Sequence, residues 1–188
     1  MRLILRIFGC ILLIAFAVPA ASRAYAQQPA QPPATEEIAT VVSRDFGPQF
    51  KIAKEFAPMF ADFNRDGRED LAIVVTGDNP LMNEGTYRYK VADPYNASFG
   101  FGDPKVTLSF SVNEDTPRYL LISHTWRSPE KKFVIVNVPF KAIKLGNMLL
   151  KKKAIPAVSS TDISGVQGAV YWDGRKYKWE AVGMDVDR

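Results

Sequence analysis

From Phe50 onward, apolar residues recur with the spacing of β-strands. The segment "KVTLSFSV" (105–112) alternates four apolar residues with lysine, threonine and serine, as in a half-buried antiparallel strand. In contrast, "LAIVVT" (71–76) is almost entirely apolar, which is typical of a strand buried on both faces. The segments "FKIAKEF" (50–56), "RYLLISHTW" (118–126) and "KFVIVNV" (132–138) continue the series. The pattern predicts a single, mainly β domain with largely antiparallel strands.

The C-terminal region "GAVYWDGRKYKWEAV" predicts a hairpin. Asp173-Gly174 separates two aromatic runs, and a two-residue Asp-Gly link is typical of a type I′ turn. In this register Tyr177 and Trp179 face the core, and the alternating charged residues Lys176, Lys178 and Glu180 face solvent.

One short helix is expected at the start of the domain. In "TEEIATVVSRDFG" (35–47), Ile38, Val41 and Val42 recur at helical spacing. Thr35 is a possible N-cap, and Gly47 is a possible stop. The minor helical component leaves the fold class mainly β.

Residues 77–104 form a long segment of poor regularity. Connections of this length without secondary structure are uncommon and often functional. Five aromatic rings in the segment either line a binding surface or hold it against the sheet, and the general burial of aromatic residues favours the second reading. They are Tyr87, Tyr89, Tyr95, Phe99 and Phe101.

The N-terminus has the features of an export signal. Arg2 and Arg6 precede the apolar stretch "IFGCILLIAFAVPA", and "AYA" (24–26) matches the small-x-small cleavage pattern. The apolar stretch is too short to span a bilayer comfortably. We therefore assign residues 1–26 to a signal peptide and expect a secreted or periplasmic protein. Cys10 lies too early for a lipoprotein signal to be the better reading, although that alternative stays open.

The segment "QQPAQPPATEE" (27–37) contains three prolines and almost nothing apolar, so it predicts a flexible tether before a domain over 38–188. Cleavage after residue 26 would leave 162 of the 188 residues, remove three arginines and lower the net charge from +4 to +1. This near-neutral charge gives little support to a nucleic-acid partner. The remaining chain has no cysteine, so its core, a bound metal or both must stabilise it outside the cell.

The strongest chemical motif is "DFNRDGRED" (62–70), which places oxygen-bearing side chains at alternate positions. Calcium prefers six to eight oxygen ligands in a flexible shell. The sequence offers four oxygen-bearing side chains and, at position seven, a backbone carbonyl, with Gly67 at the sharp bend. The candidate ligands are Asp62, Asn64, Asp66, Arg68 through its carbonyl, and Asp70. The alternative is a soluble turn, because Asp, Asn and Gly also dominate turns for steric reasons.

An EF-hand is excluded, because its twelfth position needs a glutamate and here holds Ile73. The longer stretch "FADFNRDGREDLAIVV" (60–75) resembles the calcium loop of the FG-GAP/VCBS repeat family. That resemblance implies the ligand set given above and a loop joining two adjacent strands. It occurs once, and a β-propeller needs about four to eight blades. The chain is therefore not expected to form a propeller by itself.

Other chemistry has little support in the sequence. His124 is the only histidine, lies in a predicted strand and is expected to be a packed or surface residue. Zinc is disfavoured because one histidine and no cysteine remain after cleavage. No catalytic residue is assigned. The basic run Lys151–Lys153 is expected to be a solvated face.

These observations lead to three hypotheses. The first is an exported, non-enzymatic binding or structural module of the cell envelope, stabilised by calcium, with an unidentified protein or glycan partner. The second is an exported hydrolase with a structural calcium ion. The third is a subunit that adds one blade-like element to a larger assembly.

Overall fold

Ten strands in two sheets, together with a few short helices, make up the part of the chain that the computed structural model describes, residues 34–106 and 117–182. The mainly β fold class is therefore confirmed. The strands are β1 (Lys51–Ile52), β2 (Met59–Ala61), β3 (Asp70–Thr76), β4 (Lys90–Ala92), β5 (Arg118–His124), β6 (Lys131–Ile135), β7 (Ala142–Leu150), β8 (Lys153–Thr161), β9 (Gln167–Trp172) and β10 (Tyr177–Ala181). The α-helices are α1 (Thr35–Phe46), α2 (Glu84–Tyr87) and α3 (Pro94–Ser98).

The first sheet has six strands in the order β1-β3-β5-β6-β4, and β2 also pairs with β3. Strands β1 and β2 pair with opposite ends of β3. All pairs are antiparallel except β4 with β6, which is parallel. The predicted strand over 50–56 is reduced to the two residues of β1.

The second sheet is an antiparallel meander in the order β10-β9-β8-β7. Its inner face packs on the first sheet, where residues of β3 and β5 meet Val158, Val170 and Trp172 of β8 and β9. The outer face of the first sheet packs against α1.

The central strand β3 is covered on both faces. Leu71, Ile73 and Val75 belong to the cluster with α1, while Ala72 and Val74 belong to the cluster with the second sheet. Since successive side chains of a strand point to opposite faces, burial on both sides requires a continuous apolar run. The prediction of a buried strand over 71–76 is confirmed.

Helix α1 packs through the apolar residues that predicted it: Ile38, Val41 and Val42 are all buried. Its N-cap is Ala34, so Thr35 is the first helical residue rather than the cap. The helix therefore includes residues 35–37, which the composition had assigned to the tether. The negative charges of Glu36 and Glu37 in the first turn interact favourably with the helix dipole and stabilise α1.

The C-terminal hairpin is present, but its turn differs from the prediction. Trp172 pairs with Tyr177, so four residues rather than two connect β9 and β10. The Asp173 carboxylate accepts hydrogen bonds from the N–H groups of Arg175 (2.8 Å) and Lys176 (2.9 Å). This side-chain cap favours the longer loop over a type I′ turn. Tyr177 and Trp179 are buried as predicted.

The segment 77–104 has more regular structure than its composition indicates. It contains a short 3-10 helix (Pro80–Met82), α2, β4 and α3. The parallel pairing of β4 with β6 attaches the segment to the edge of the first sheet. Of the predicted strand over 105–112, residues 105 and 106 are helical rather than extended, and the rest lies outside the described residues. The predicted signal peptide and most of the tether also lie outside them. No helix among the described residues is long and apolar enough to cross a membrane.

Candidate functional site

The acidic loop, residues 62–70, connects two adjacent antiparallel strands. Ala61 at the end of β2 pairs with Asp70 at the start of β3. A loop that joins two adjacent strands is the local setting that the resemblance implied. Gly67 has φ 85°, a backbone conformation that residues with a side chain rarely adopt, so the chain bends at this glycine. Arg65 also has positive φ, at 62°, and no feature of the sequence indicated this.

Asp62, Asn64 and Asp66 lie together in a network of hydrogen bonds. The Asp62 carboxylate accepts from the backbone N–H groups of Asp66 (3.0 Å) and Gly67 (2.8 Å). Asn64 Oδ1 accepts from the Asp66 N–H at 3.0 Å, and Asn64 Nδ2 donates to Asp66 Oδ2 at 2.8 Å. Asp66 Oδ1 accepts from the N–H of Arg68 at 2.9 Å. The side chains therefore converge on the inside of the loop.

Asp70 occupies a different environment, because its side chain is fully buried. Oδ2 accepts from the N–H groups of Phe63 (2.9 Å) and Asn64 (3.3 Å), and Oδ1 accepts from the N–H of Thr125 (2.8 Å). Burial raises the pKa of Asp70 to about 6, although these three N–H donors act in the opposite direction. Asp70 thus connects the acidic loop to the end of β5.

The predicted ligands fit a hard cation only in part. Asp62, Asn64 and Asp66 have converging oxygens, and a carboxylate that accepts one or two N–H groups retains further lone pairs. Asp70 instead directs its oxygens at backbone amides. Among the described residues, no group of three or more His, Cys, Asp or Glu side chains is placed to hold a metal ion. A calcium ion bound here would therefore be held by Asp62, Asn64, Asp66 and backbone carbonyls, with Asp70 supporting the loop.

Contacts from the turn between β5 and β6 hold the acidic loop in place. The Arg68 guanidinium forms an ion pair with the Glu130 carboxylate. Trp126 donates its backbone N–H to the Glu69 carbonyl (3.4 Å) and its indole N–H to the Glu69 carboxylate (3.1 Å). Sequence reasoning missed these partners, because about sixty residues separate them and no local pattern pairs them.

His124 is buried at the end of β5, as a packed histidine. Its Nε2 lies 2.7 Å from the Tyr177 hydroxyl, and the rings of Phe133 and Trp172 have centroids within 5.2 Å of the imidazole. Burial, reinforced by the positive charge of Lys131, lowers the pKa of His124 to about 4. The imidazole is therefore neutral at pH 7.

The hydrogen bond with Tyr177 indicates which tautomer is present. Burial raises the pKa of Tyr177 well above its usual value, so its hydroxyl keeps its proton. This hydroxyl makes no second hydrogen bond within the described part of the chain. A buried donor without an acceptor is costly, so the hydroxyl donates to Nε2. The remaining nitrogen of the neutral ring, Nδ1, then carries the hydrogen.

A small depression, here called the polar pocket, lies between the acidic loop and His124. Its volume is about 210 Å³. It brings together the acidic loop, the end of β5, the start of β6 and the β9–β10 turn. Its lining residues are Asn64, Asp66, His124, Glu130, Lys131, Trp172 and Gly174. The sequence did not predict that the lone histidine and the acidic loop are neighbours.

The aromatic residues of the segment 77–104 divide into two groups. Tyr89 is buried and donates its hydroxyl to the Pro80 carbonyl at 2.6 Å, while Tyr95 packs edge-on against Trp179 at 4.9 Å between ring centroids. Tyr87 packs against the core next to α1. Phe99 and Phe101 are exposed, at 60% and 65%. The ring of Phe99 nevertheless packs against Tyr95 (5.3 Å between centroids) and Trp179 (6.1 Å). Four of the five rings therefore pack against the rest of the fold, as the favoured reading predicted.

Comparisons of the chain with protein-family models, with curated proteins and with solved structures found no match.

Proposed function

We propose that the chain is an exported, non-enzymatic binding or structural module of the cell envelope, and that a calcium ion in the acidic loop stabilises it. The observation that carries the proposal is the convergence of Asp62, Asn64 and Asp66 inside a short loop between β2 and β3. The proposed family, FG-GAP/VCBS-like, rests on the same residues. Export rests on the N-terminal pattern of the sequence.

The charge of the loop supports a cation. The nine residues of the acidic loop contain two arginines but four carboxyl groups, those of Asp62, Asp66, Glu69 and Asp70. A divalent ion offsets their repulsion, and it needs no redox or acid–base chemistry to do so. Extracellular calcium modules bind with dissociation constants of about 10⁻⁴ to 10⁻³ M. We expect a site of this strength, which stabilises a fold outside the cell.

The state of His124 supports the non-enzymatic reading over the hydrolase. A general base is most effective when its pKa is close to the working pH. Burial holds the pKa of His124 at about 4, and its Nε2 bonds to Tyr177 rather than to a serine or threonine hydroxyl.

Thermal melting with calcium and with a chelator tests the calcium proposal. Calcium at a hundredfold excess over its dissociation constant is expected to stabilise the native state by about 2.7 kcal/mol. Asp66→Asn, which keeps one oxygen but removes a charge, is expected to lose most of this calcium-dependent stabilisation.

Asp173→Asn is the matched control, because Asp173 also caps backbone N–H groups of a loop but lies on the β9–β10 turn. Calcium is expected to stabilise this variant as much as it stabilises the unmodified protein. Equal stabilisation of the two variants by calcium, or none of the unmodified protein, would contradict the proposal.

A further inference from the structure

The polar pocket contains a buried group that the proposed calcium loop does not use. His124 is only 1% exposed, yet it lines the pocket. Because Tyr177 donates to Nε2, the hydrogen on Nδ1 remains to be donated. Within the described part of the chain, Nδ1 makes no hydrogen bond. A hydroxyl or carbonyl oxygen of a ligand is the natural acceptor for it.

The charged residues of the pocket already have partners. Glu130 pairs with Arg68, and Asp66 accepts from Asn64 and Arg68 through its two oxygens. The Lys131 ammonium lies 5.8 Å from the centroid of the Trp172 ring. A charged ligand would therefore have to displace an existing partner. A neutral ligand needs only the remaining hydrogen-bonding capacity of these groups.

The pocket offers both donors and acceptors. Lys131 and the His124 ring donate, and the carboxylates of Asp66 and Glu130 have lone pairs left to accept. A hydroxyl group both donates and accepts, so a ligand with several hydroxyls matches the lining. The Trp172 side chain adds an apolar wall for C–H groups.

The volume limits the size of the ligand. About 210 Å³ equals the liquid volume of about seven water molecules. Pockets for drug-sized ligands begin at about 300 Å³. At Gly174 a side-chain carbon would meet no atom within 4 Å, so the rim of the pocket is open on the side of the β9–β10 turn. One small ring fits, with the rest of a longer molecule outside.

We propose that the polar pocket binds carbohydrate, holding the hydroxyl groups of one sugar ring between the acidic loop, His124 and Lys131. This inference rests on the proposed function only in treating the protein as a binding module. The acidic loop supplies one wall through Asn64 and Asp66, so calcium is expected to strengthen binding by holding that wall in place.

Nuclear magnetic resonance of the imidazole tests the proposal, because the chain has a single histidine. Glucose, galactose, mannose and N-acetylglucosamine are titrated separately, in the presence of calcium, into the protein without its predicted signal peptide (residues 1–26). Each sugar is added up to about 10 mM, where a ligand of millimolar affinity fills most sites. At least one sugar is expected to shift the His124 resonances and to saturate. Glycine and serine are titrated in parallel, because a zwitterion is the competing small ligand.

Lys131→Met is expected to weaken sugar binding about tenfold, since a hydrogen bond to a charged group contributes about 1.5 kcal/mol or more. Lys144→Met is the control, because Lys144 is an exposed lysine on β7, outside the pocket. The proposal fails if no sugar shifts the imidazole, if only the amino acids do, or if both variants bind equally. Melting of the same samples with and without calcium shows separately whether the calcium proposal stands.

Discussion

Asp70, the last residue of the acidic loop, and His124, across the polar pocket from Asn64 and Asp66, are both buried ionisable side chains. Both are shielded from water, but burial acts on them in opposite directions, because it always favours the neutral form. The pKa of the Asp70 carboxyl is raised to about 6, and the pKa of the His124 imidazole is lowered to about 4. Their effects on folding therefore oppose each other between pH 4 and 6.

The sign of each effect follows from the proton balance. Between its unfolded pKa of 6.5 and its folded pKa of about 4, His124 binds a proton only in the unfolded chain, so stability is lost as pH falls. Between its unfolded pKa of 3.8 and its folded pKa of about 6, Asp70 holds a proton only in the folded chain, so stability is lost as pH rises.

We predict that replacing either side chain reveals how the other makes the folding stability depend on pH. With His124→Gln, stability should rise as pH falls from 6 to 4, by up to about 1.4 kcal/mol per pH unit. With Asp70→Asn, it should fall over the same range. Urea unfolding at several pH values in chelator measures both slopes, and the unmodified protein should vary least. Parallel profiles for the two variants would show that the opposing shifts are absent.

Much of the acidic loop was predictable at the residue scale, because its side chains act on neighbours within the same nine residues. The position of Gly67 at a bend and the strand after Asp70 both follow the sequence pattern. The burial of Asp70 was not predictable, since one of its donors is the N–H of Thr125, on another element. The same holds for the ion pair of Arg68 with Glu130.

At the scale of elements, the hairpin of β9 and β10 depends on a close contact between a glycine and a tryptophan. A Cβ on Gly168 would lie 2.1 Å from the Trp179 ring, so the indole occupies the space that any other residue would fill. Trp179 is buried against the first sheet, and its indole N–H donates to Ser160 Oγ at 3.3 Å. The ring therefore has little freedom to move away.

We predict that Gly168→Ala destabilises the fold by about 1–3 kcal/mol, which is the usual cost of overpacking a core. Gly85→Ala in α2 is the control, because a Cβ there meets no atom within 4 Å. It is expected to have an effect within about 0.5 kcal/mol. Urea unfolding compares the two variants. If Gly168→Ala unfolds at the same midpoint as the control, the indole is not fixed as described.

Elements with a strong local sequence pattern were predicted, and elements with a weak pattern were not. Strand β3, helix α1 and the C-terminal hairpin follow from apolar periodicity and turn residues. Strand β4 has only three residues and pairs in parallel with β6, about forty residues further along the chain. Its formation depends on tertiary pairing rather than on its own composition, so the segment 77–104 was predicted to be irregular.

At the scale of the whole molecule, the first sheet lies between α1 and the second sheet. The first sheet is therefore buried on both faces. Such a core can stabilise a chain that has no cysteine beyond residue 10 and so cannot form disulfides there. The acidic loop and the polar pocket lie where β3, β5, β6 and the β9–β10 turn meet. The mainly β class was predictable from periodicity, but this meeting of segments was not, because it depends on how the sheets pack.

The most direct test of the calcium proposal is a calcium titration followed through the backbone amides by nuclear magnetic resonance. We expect saturable shifts concentrated in residues 62–70, with a smaller effect at Thr125 through its bond to Asp70. One calcium ion should bind per chain, at about 10⁻⁴ to 10⁻³ M. Amides of the acidic loop that stay unchanged at saturating calcium, or shifts centred elsewhere, would contradict a calcium site in this loop.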